Sequence, residues 1–341
     1  MMMKKVSCWL FAVALAVLPG CSRQKSPSGA VKAEPEQAIT GSSSDPAVEF
    51  KTLWKPDLQY RFYFRQIQDI GGAKADPSIK HKRKGGLQDQ ERIFAEDYSL
   101  QVTNTPTDRK VELAYQIQSL EVDIAYGEQY DFVFDSENKA VPVGTDPMST
   151  ALQRLIGGNL TVDLKDNKVR RVAGAKELAH QALDGLDAGR AGGLDRILSD
   201  EAIRHLIEFD YLPTNAVAIG NSWQVKTHLT TGYLKTEADV TCTFTGWQVH
   251  DKRKCALFTL NGTLTSDTPN DKSGVEDGHL TGRVWFDPEL GMTADEEIEQ
   301  TSVTSFKRNN TGETTSMPVT QSASLMLADV LLVDKKPGAA N

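Results

Sequence analysis

The chain is poor in cysteine and histidine, with four and six residues among 341. No two histidines have the close spacing typical of zinc ligands, and the cysteines form no paired motif. The sequence therefore predicts no metal site and no cofactor. The net charge is −8, and general binding to nucleic acids depends on positive groups that neutralise phosphates. Nucleic acid is accordingly excluded as a partner.

Long hydrophobic stretches are also scarce. The longest, Val6 to Leu18, is too short to span a bilayer as a stable helix. Lys4 and Lys5 precede it, and a small residue, Gly20, follows shortly after. This layout is typical of a secretory signal peptide. Residues 1–20 are thus predicted to be a signal that is removed between Gly20 and Cys21.

The segment Leu18-Pro19-Gly20-Cys21 resembles the lipobox of bacterial lipoproteins. The resemblance implies that Cys21 carries a thioether-linked diacylglycerol and an acylated amino group. Two or three acyl chains anchor a protein firmly, so the membrane is a predicted partner through the lipid on Cys21. An ordinary secretory signal that happens to contain a cysteine is the alternative. Because Ser22 rather than aspartate follows Cys21, the outer membrane, on its periplasmic side, is the favoured location.

The composition divides the mature chain into three parts. Residues 21–49 are rich in serine, proline, alanine and charge, which predicts a flexible tether behind the lipidated cysteine. Residues 50–334 are predicted to form a single β-rich domain. Residues 335–341 form a polar tail.

Apolar and polar residues alternate with period two on both sides of the middle of the chain, which predicts strands with one buried face. The alternation is clear in Tyr60, Phe62 and Phe64. Its phase flips after Ser119, which indicates a β-bulge or a new strand. Further strands are predicted at 98–102, 111–117, 130–134, 222–231, 236–249, 255–265, 280–286, 293–306 and 319–333.

The middle of the chain, about residues 146–212, has helical spacing instead. Asp146 before Pro147 predicts a capped helix start, and Ser199 predicts another. Strands, then helices, then strands indicate an α+β fold. The prediction is a large curved antiparallel sheet, half-barrel-like, with a central helical insert packed on one face.

The stretch from Leu212 to Trp223 resembles a segment of an uncharacterised bacterial lipoprotein family, in which a proline leads to Gly-Asp-Ser-Trp. Here Asn221 stands in the aspartate position. The family has no assigned activity, so the resemblance implies no catalytic residue. The overall pattern is also similar to the lipoprotein-carrier fold, an incomplete barrel around helices that shields acyl chains, although such analogy does not establish function.

Cys242 and Cys255 are the two cysteines of the predicted exported domain. Export permits a disulfide, but a hairpin turn at Asp251 to Lys254 would place Cys255 opposite position 250 and Cys242 opposite position 262. That separation exceeds bonding reach, so a disulfide is disfavoured. A bulge or a different turn would permit it.

No catalytic residue is predicted. Ser222 follows Gly220 as in a nucleophile elbow, but the closing glycine is missing and a strand follows. Ser136 and Lys139 match the S-x-x-K spacing but lie in a strand-ending turn. Two further motifs are interpreted as solvated loops: an acidic loop at 267–277, the alternative being a calcium site, and a basic run at 80–84, the alternative being a contact with phospholipid headgroups.

The sequence thus predicts a lipid-anchored protein of the cell envelope that is not an enzyme. It is predicted to bind or carry a hydrophobic ligand or an envelope partner. Two alternatives stay open: a structural or protein-interaction lipoprotein with a packed core, and an envelope hydrolase whose site is assembled from distant residues.

Overall fold

The computed structural model describes residues 38–71, 90–104, 110–126, 130–138, 146–186, 198–231, 234–266, 273–307 and 314–333. Within these ranges the chain forms twelve strands and three short helices. The strands, β1 to β12 in chain order, are Leu58–Ile70, Gln90–Val102, Lys110–Tyr126, Tyr130–Asp135, Asn159–Lys165, Lys168–Ala173, Ser222–Thr231, Leu234–His250, Arg253–Ser266, Ser273–Asp287, Met292–Lys307 and Thr314–Leu332. The helices, α1 to α3, are Pro147–Leu155, Ala175–Leu183 and Asp200–Ile207.

All twelve strands belong to one antiparallel sheet. Its order is β6-β5-β3-β2-β1-β12-β11-β10-β9-β8-β7, and β4 pairs with β3. Strands β6 and β7 end this order and do not pair with each other, so the sheet is open. The first and last strands, β1 and β12, pair in its middle.

The predicted α+β class with a central helical insert is wrong. The helices contain only nine, nine and eight residues. Between α1 and α2 the chain forms the hairpin β5–β6, which extends the sheet instead of covering it. The helical spacing did identify real helices, because Asp146 and Ser199 cap α1 and α3 as predicted. At 1.5 Å per residue each helix is only about 13 Å long, however, so they form no layer to match the sheet.

The side chains of the sheet alternate between two faces, and the main core lies on one of them, here called the inner face. Phe62, Tyr98 and Tyr115 stack there across β1, β2 and β3, with ring centroids 5.5 and 5.0 Å apart. Helices α1 and α3 add Leu152 and Leu206 to the same core. The opposite face is here called the outer face.

The predicted phase flip after Ser119 is confirmed as a bulge in β3. Asp97 pairs with Ser119, whereas the next residue, Tyr98, pairs with Ile117. Gln118, between Ser119 and Ile117, is the extra residue. It allows both Ile117 and Leu120 to be buried, at 0% and 1% exposure. Because of the bulge, apolar side chains on both sides of the register shift in β3 face the core.

Residues 38–57, here called the N-terminal strap, cross one end of the sheet. Thr40 forms a β-bridge with Trp247, and Val48 forms one with Val217. Asn167, in the β5–β6 turn, donates its side-chain amide to the Thr52 carbonyl at 3.0 Å. The end of the sheet that the strap crosses is here called the strap end. It also carries the β8–β9 and β10–β11 turns.

The strap corrects the predicted boundary of the tether at Glu49, because residues 38–49 belong to the folded part of the chain. The bridges explain the error. They depend on backbone groups of Trp247 and Val217, which local composition cannot indicate. The signal peptide, residues 21–37 of the tether and the tail at 335–341 lie outside the described residues and stay predictions.

Candidate binding groove

Several predicted positions lie outside the described residues. These are Gly20 and Cys21, the basic run at 80–84, Lys139 and the acidic loop from 267 to 272. Glu276, at the edge of that loop, accepts a hydrogen bond from the Ser305 hydroxyl at 2.8 Å. In the described part of the chain, no group of three or more histidine, cysteine or acidic residues is arranged to hold a metal ion.

Cys242 and Cys255 are free, buried thiols. The β8–β9 turn consists of Asp251 and Lys252 alone, so Cys242 lies opposite Leu260 and Cys255 opposite Gln248. The two cysteines belong to separate clusters of buried apolar residues. Burial raises the pKa of each thiol to about 12. Because the thiolate is the reactive form, both should be inert in the folded protein.

The two serines considered as nucleophiles have structural partners. The Ser222 hydroxyl is hydrogen-bonded to the Thr243 hydroxyl at 2.8 Å. The Ser136 hydroxyl accepts the Leu120 backbone N–H at 3.0 Å. Neither partner is a base that could activate the serine.

The segment around Ser222 also packs structurally. The Trp223 indole donates to the Tyr211 carbonyl at 2.9 Å. Its ring lies 5.7 Å from that of Phe258, edge to face. Trp223 therefore joins the start of β7 to the chain that follows α3.

Two carboxyls on the inner face were not anticipated as site candidates. Glu96 is buried and accepts a hydrogen bond from the Tyr115 hydroxyl. Burial raises its pKa to about 7, with the tyrosine hydrogen bond opposing the shift and Asp97 adding to it. The neighbouring Tyr98 donates its hydroxyl to the Leu206 carbonyl at 2.8 Å, which joins the sheet to α3.

Glu296 is the second carboxyl. Its pKa is raised to about 7 by burial, the Tyr211 hydroxyl opposes the shift by hydrogen bonding, and Asp295 adds to it. Tyr211 also shares a 2.5 Å hydrogen bond with the Thr293 hydroxyl. Glu96 pairs with Phe64 and Glu296 with Leu325, and Phe64 pairs with Leu325. The two carboxyls thus lie in one cross-strand row, about 14 Å apart at roughly 4.8 Å per strand.

A groove of about 520 Å³ crosses β1, β12, β11 and β10. Successive side chains of a strand point to opposite faces of the sheet. Eight of the lining residues alternate along their strands with inner-face residues such as Phe64 and Leu325, so their side chains have the positions of the outer face. These eight residues are Arg65, Ile67, Thr281, Arg283, Glu297, Glu299, Ser322 and Ser324. The other four, Leu260, Gly282, Ile298 and Ala323, have the parity of the core face and form the row between them. Because a complete row of outer-face residues lies on each side of that row, we place the groove on the outer face.

The pairing register orders the groove into two parallel rows. The first contains Arg65, Ser324, Glu297 and Arg283 in adjacent strands, and the second contains Ile67, Ser322, Glu299 and Thr281. An arginine stands at each end of the first row, about 14 Å from the other. The groove thus contains two cations, two carboxylates and three hydroxyls over the length of a short extended chain.

Arg283 is held in place on two sides. Its guanidinium donates to the Glu297 carboxylate at 2.8 Å and lies 5.0 Å from the centre of the Trp285 ring. At the other end of the row, Arg65 attracts Glu121 and opposes the rise in the pKa of Glu121 that burial causes. Arg283 is therefore ordered before any ligand binds, and Arg65 lies near an acidic group.

An aromatic and polar cluster continues from Arg283 toward the strap end. His250 stacks on Trp285 with centroids 4.4 Å apart and is hydrogen-bonded to Asp295 at 2.9 Å. Trp285 donates its indole N–H to Gln248 at 2.6 Å. These contacts fix the ring on which Arg283 rests.

The sequence indicated part of the groove without locating it. Glu297 and Glu299 are exposed and alternate with Glu296 and Ile298 in β11, and Arg65 follows the inner-face residue Phe64 in β1. The sequence does not show that β1 pairs with β12 and that β12 pairs with β11. That pairing joins residues that are hundreds of positions apart, and no local pattern contains it.

Residues 108–312 match the sequence profile of a family of unknown function, DUF6263. The match covers more than half of the chain, and the protein belongs to this family. Since the family has no assigned function, no catalytic or binding residue follows from membership. The comparison with curated protein sequences gave no match.

Two solved structures are similar over most of the chain. Lipovitellin, studied for its lipid–protein interactions, has 11% identity and a TM-score of 0.48, and the alignment covers 84% of this chain and 27% of lipovitellin. A candidate exported protein with a YmcC-like fold, from Bacteroides fragilis NCTC 9343, has 10% identity and a TM-score of 0.24 over 83% of this chain and 100% of its own. The chain therefore spans about a quarter of lipovitellin, and scores this low support no functional conclusion.

Among the described residues, none of the helices has the length and hydrophobicity that crossing a bilayer requires.

Proposed function

We propose that this protein is a non-enzymatic binding protein, held at the cell envelope by lipid on Cys21, whose groove takes a polar ligand with both an acidic and a basic group. The lipid anchor rests on the basic start, the apolar run and the lipobox-like Leu18 to Cys21. The ligand class rests on the outer-face groove. A short peptide segment in extended conformation has the matching chemistry and length.

The observation that carries the ligand class is the row from Arg65 to Arg283. Glu297 forms an ion pair with Arg283 at 2.8 Å, whereas the attraction between Arg65 and Glu121 involves no such close pair, so Arg65 is the stronger site for an acidic group. Glu299, in the second row, is exposed and offers a site for a basic group. About four extended residues, at roughly 3.3 Å each, cover the 14 Å between the ends of the row. The volume lies within the usual range of roughly 300–1,000 Å³ for small-ligand sites.

A hydrophobic ligand between the sheet and the helices has less support. Under the helices, the inner face is filled by side chains of the protein itself, including Tyr98, Tyr115 and Leu152, which are fully buried. Farther from the strap end, Gln68 donates to Gln321 at 2.8 Å and both are buried, while Ile70, Met317 and Val319 form a small apolar cluster that is itself buried. Neither group leaves an exposed apolar surface for an acyl chain.

The proposal is non-enzymatic because a serine nucleophile needs a base within hydrogen-bonding reach. Ser322 and Ser324, the serines of the groove, form no hydrogen bond to a histidine or carboxylate of the described residues. The Glu297 carboxylate is bound to Arg283. The arrangement is suited to recognition of charge, which requires no such base.

The test is calorimetric binding of tetra-alanine with free termini, with the doubly blocked peptide as a matched ligand control. Arg65→Ala should weaken binding of the free peptide at least about tenfold, because hydrogen bonds to charged groups contribute roughly 1.5–3 kcal/mol. Arg171→Ala, which removes an exposed arginine from β6, should leave binding unchanged.

Three results would contradict the proposal. These are no binding of the free peptide, equal binding of free and blocked peptides, and equal losses in the two arginine variants. Tight binding of a fatty-acyl probe that ignores Arg65 would instead support the hydrophobic-ligand function.

A further inference from the structure

Large apolar side chains are exposed mainly at one end of the molecule. Six such residues among those described are more than a third exposed, and five of them lie at the strap end. These five are Ile39 at 48%, Leu53 at 45%, Val249 at 41%, Leu331 at 39% and Leu332 at 81%. Together they are here called the apolar end patch.

The positions of the patch follow from the topology. Leu331 and Leu332 end β12 beside the start of β1. Leu53 lies against Gly291 in the β10–β11 turn, and its backbone N–H donates to the Gly291 carbonyl at 2.8 Å. Ile39 and Val249 lie beside the β8–β9 turn. Separate parts of the chain therefore place apolar groups at the same end, spread over the four strand spacings from β12 to β8. Exposed apolar groups gathered at one end often indicate an interaction surface.

The chain also reaches the domain at this end. The bridge between Thr40 and Trp247 is antiparallel, and β8 runs from Trp247 toward its turn at Asp251. Ala38 and Ile39, the described residues before Thr40, consequently lie on the side of the strap end. Cys21 is 17 positions before Ala38, and a chain of that length spans at most roughly 60 Å.

The opposite end of the sheet is much farther from that attachment point. Strand β12 has 19 residues, which corresponds to about 60 Å at roughly 3.3 Å per residue. An anchor at Cys21 therefore limits the strap end to within roughly 60 Å of the membrane, whereas the opposite end can lie about twice as far away.

We infer that the apolar end patch contacts the phospholipid bilayer and orients the sheet upright on the membrane. The inference rests on the lipid anchor of the proposed function and adds a second, non-covalent contact. The acyl chains on Cys21 already attach the protein firmly, so the apolar side chains at this end contribute to its orientation on the membrane. Arg65 lies seven residues along β1 from Leu58, about 23 Å from this end. The groove then faces the aqueous compartment.

The test uses the full chain, purified in its lipidated form and reconstituted into phosphatidylethanolamine–phosphatidylglycerol vesicles. A polarity-sensitive fluorophore is attached at Leu332→Cys or at Thr314→Cys. Both sites are exposed, and they are the two ends of β12. The buried thiols of Cys242 and Cys255 should not be labelled, and a lipidated Cys21 has no free thiol.

Quenching by lipids that carry a spin label in the acyl chain reports contact. We expect quenching at position 332 to be at least about fivefold stronger than at position 314, since interfacial contact buries side chains only about 5–10 Å deep. Leu53→Glu in the Leu332→Cys background should reduce that quenching.

Equal quenching at the two positions, with the protein still bound to vesicles, would overturn the inference and leave the lipid anchor intact. A chain that does not sediment with vesicles and whose Cys21 takes up the label would overturn the anchor and the inference together.

Discussion

Replacing Glu96 with glutamine is expected to raise the free energy of unfolding by about 2 kcal/mol at pH 8 and to change it little at pH 5. The folded-state pKa of Glu96 is about 7 because the carboxyl is buried, well above an ordinary glutamate. A raised pKa means that the folded protein favours the protonated, neutral form. The stability that the protonated Glu96 contributes to the folded state is fully present below about pH 4.5 and is lost as the pH rises through 7.

Glutamine has no ionisable carboxyl group, and its amide oxygen can still accept the hydrogen bond from the Tyr115 hydroxyl. One pKa unit corresponds to about 1.4 kcal/mol, and part of the gain is offset because the buried amide brings two N–H groups that need partners. Urea unfolding at pH 5 and pH 8 measures the difference. Glu299→Gln, an exposed position on the outer face, serves as the control and should change the free energy of unfolding by less than about 0.5 kcal/mol at either pH. A loss of stability at pH 8 in Glu96→Gln would show that the ionised carboxylate stabilises the fold.

Replacing Phe50 with alanine is expected to lower the free energy of unfolding by about 3–5 kcal/mol. Phe50 is 3% exposed, and its ring lies 5.1, 5.0 and 5.9 Å from those of Phe244, Phe258 and Phe286. Edge-to-face contacts of this kind add to the apolar area that the ring buries.

The control is Lys51→Ala, which removes an exposed neighbour in the strap and should change stability by less than about 0.5 kcal/mol. Thermal and urea unfolding give the stability difference. Limited proteolysis then shows whether the strap is released before the sheet unfolds. Equal stability of Phe50→Ala and Lys51→Ala would mean that the strap contributes nothing to closing this end of the core.

Local patterns in the sequence predicted much of the sheet and the ends of two helices. Period-two alternation located β1, β3 and the strands after Pro213, and the phase flip at Ser119 located the bulge. Asp146 and Ser199 marked helix starts because their side chains accept backbone N–H groups in the first turn. Each of these features depends on neighbours within a few residues.

The features that the sequence did not predict depend on residues that are distant along the chain. The strap is ordered by backbone bridges to Trp247 and Val217, and the groove by the pairing of β1 with β12. Both are set by tertiary structure. Glu96 is different, because it occupies an inward position between Phe94 and Tyr98. A charged residue in the apolar phase of a strand is a usable signal for a buried carboxyl.

The Gly-Asn-Ser-Trp segment illustrates how a motif can have a structural role. Asn221 accepts the Ala218 backbone N–H at 3.0 Å through its side chain, and Gly220 adopts a positive φ of 86°. This turn precedes β7 and positions Trp223 so that it packs against the core. A turn before a strand explains the spacing without chemistry at Ser222.

The central claim is that Cys21 anchors this protein in the envelope, and the most direct measurement is mass spectrometry of the mature amino-terminal peptide from a membrane extract. The account predicts that the chain begins at Cys21, with the added mass of a diacylglycerol thioether and one amide-linked acyl chain. A mature chain that begins elsewhere, or an unmodified Cys21 in the soluble fraction, would contradict it.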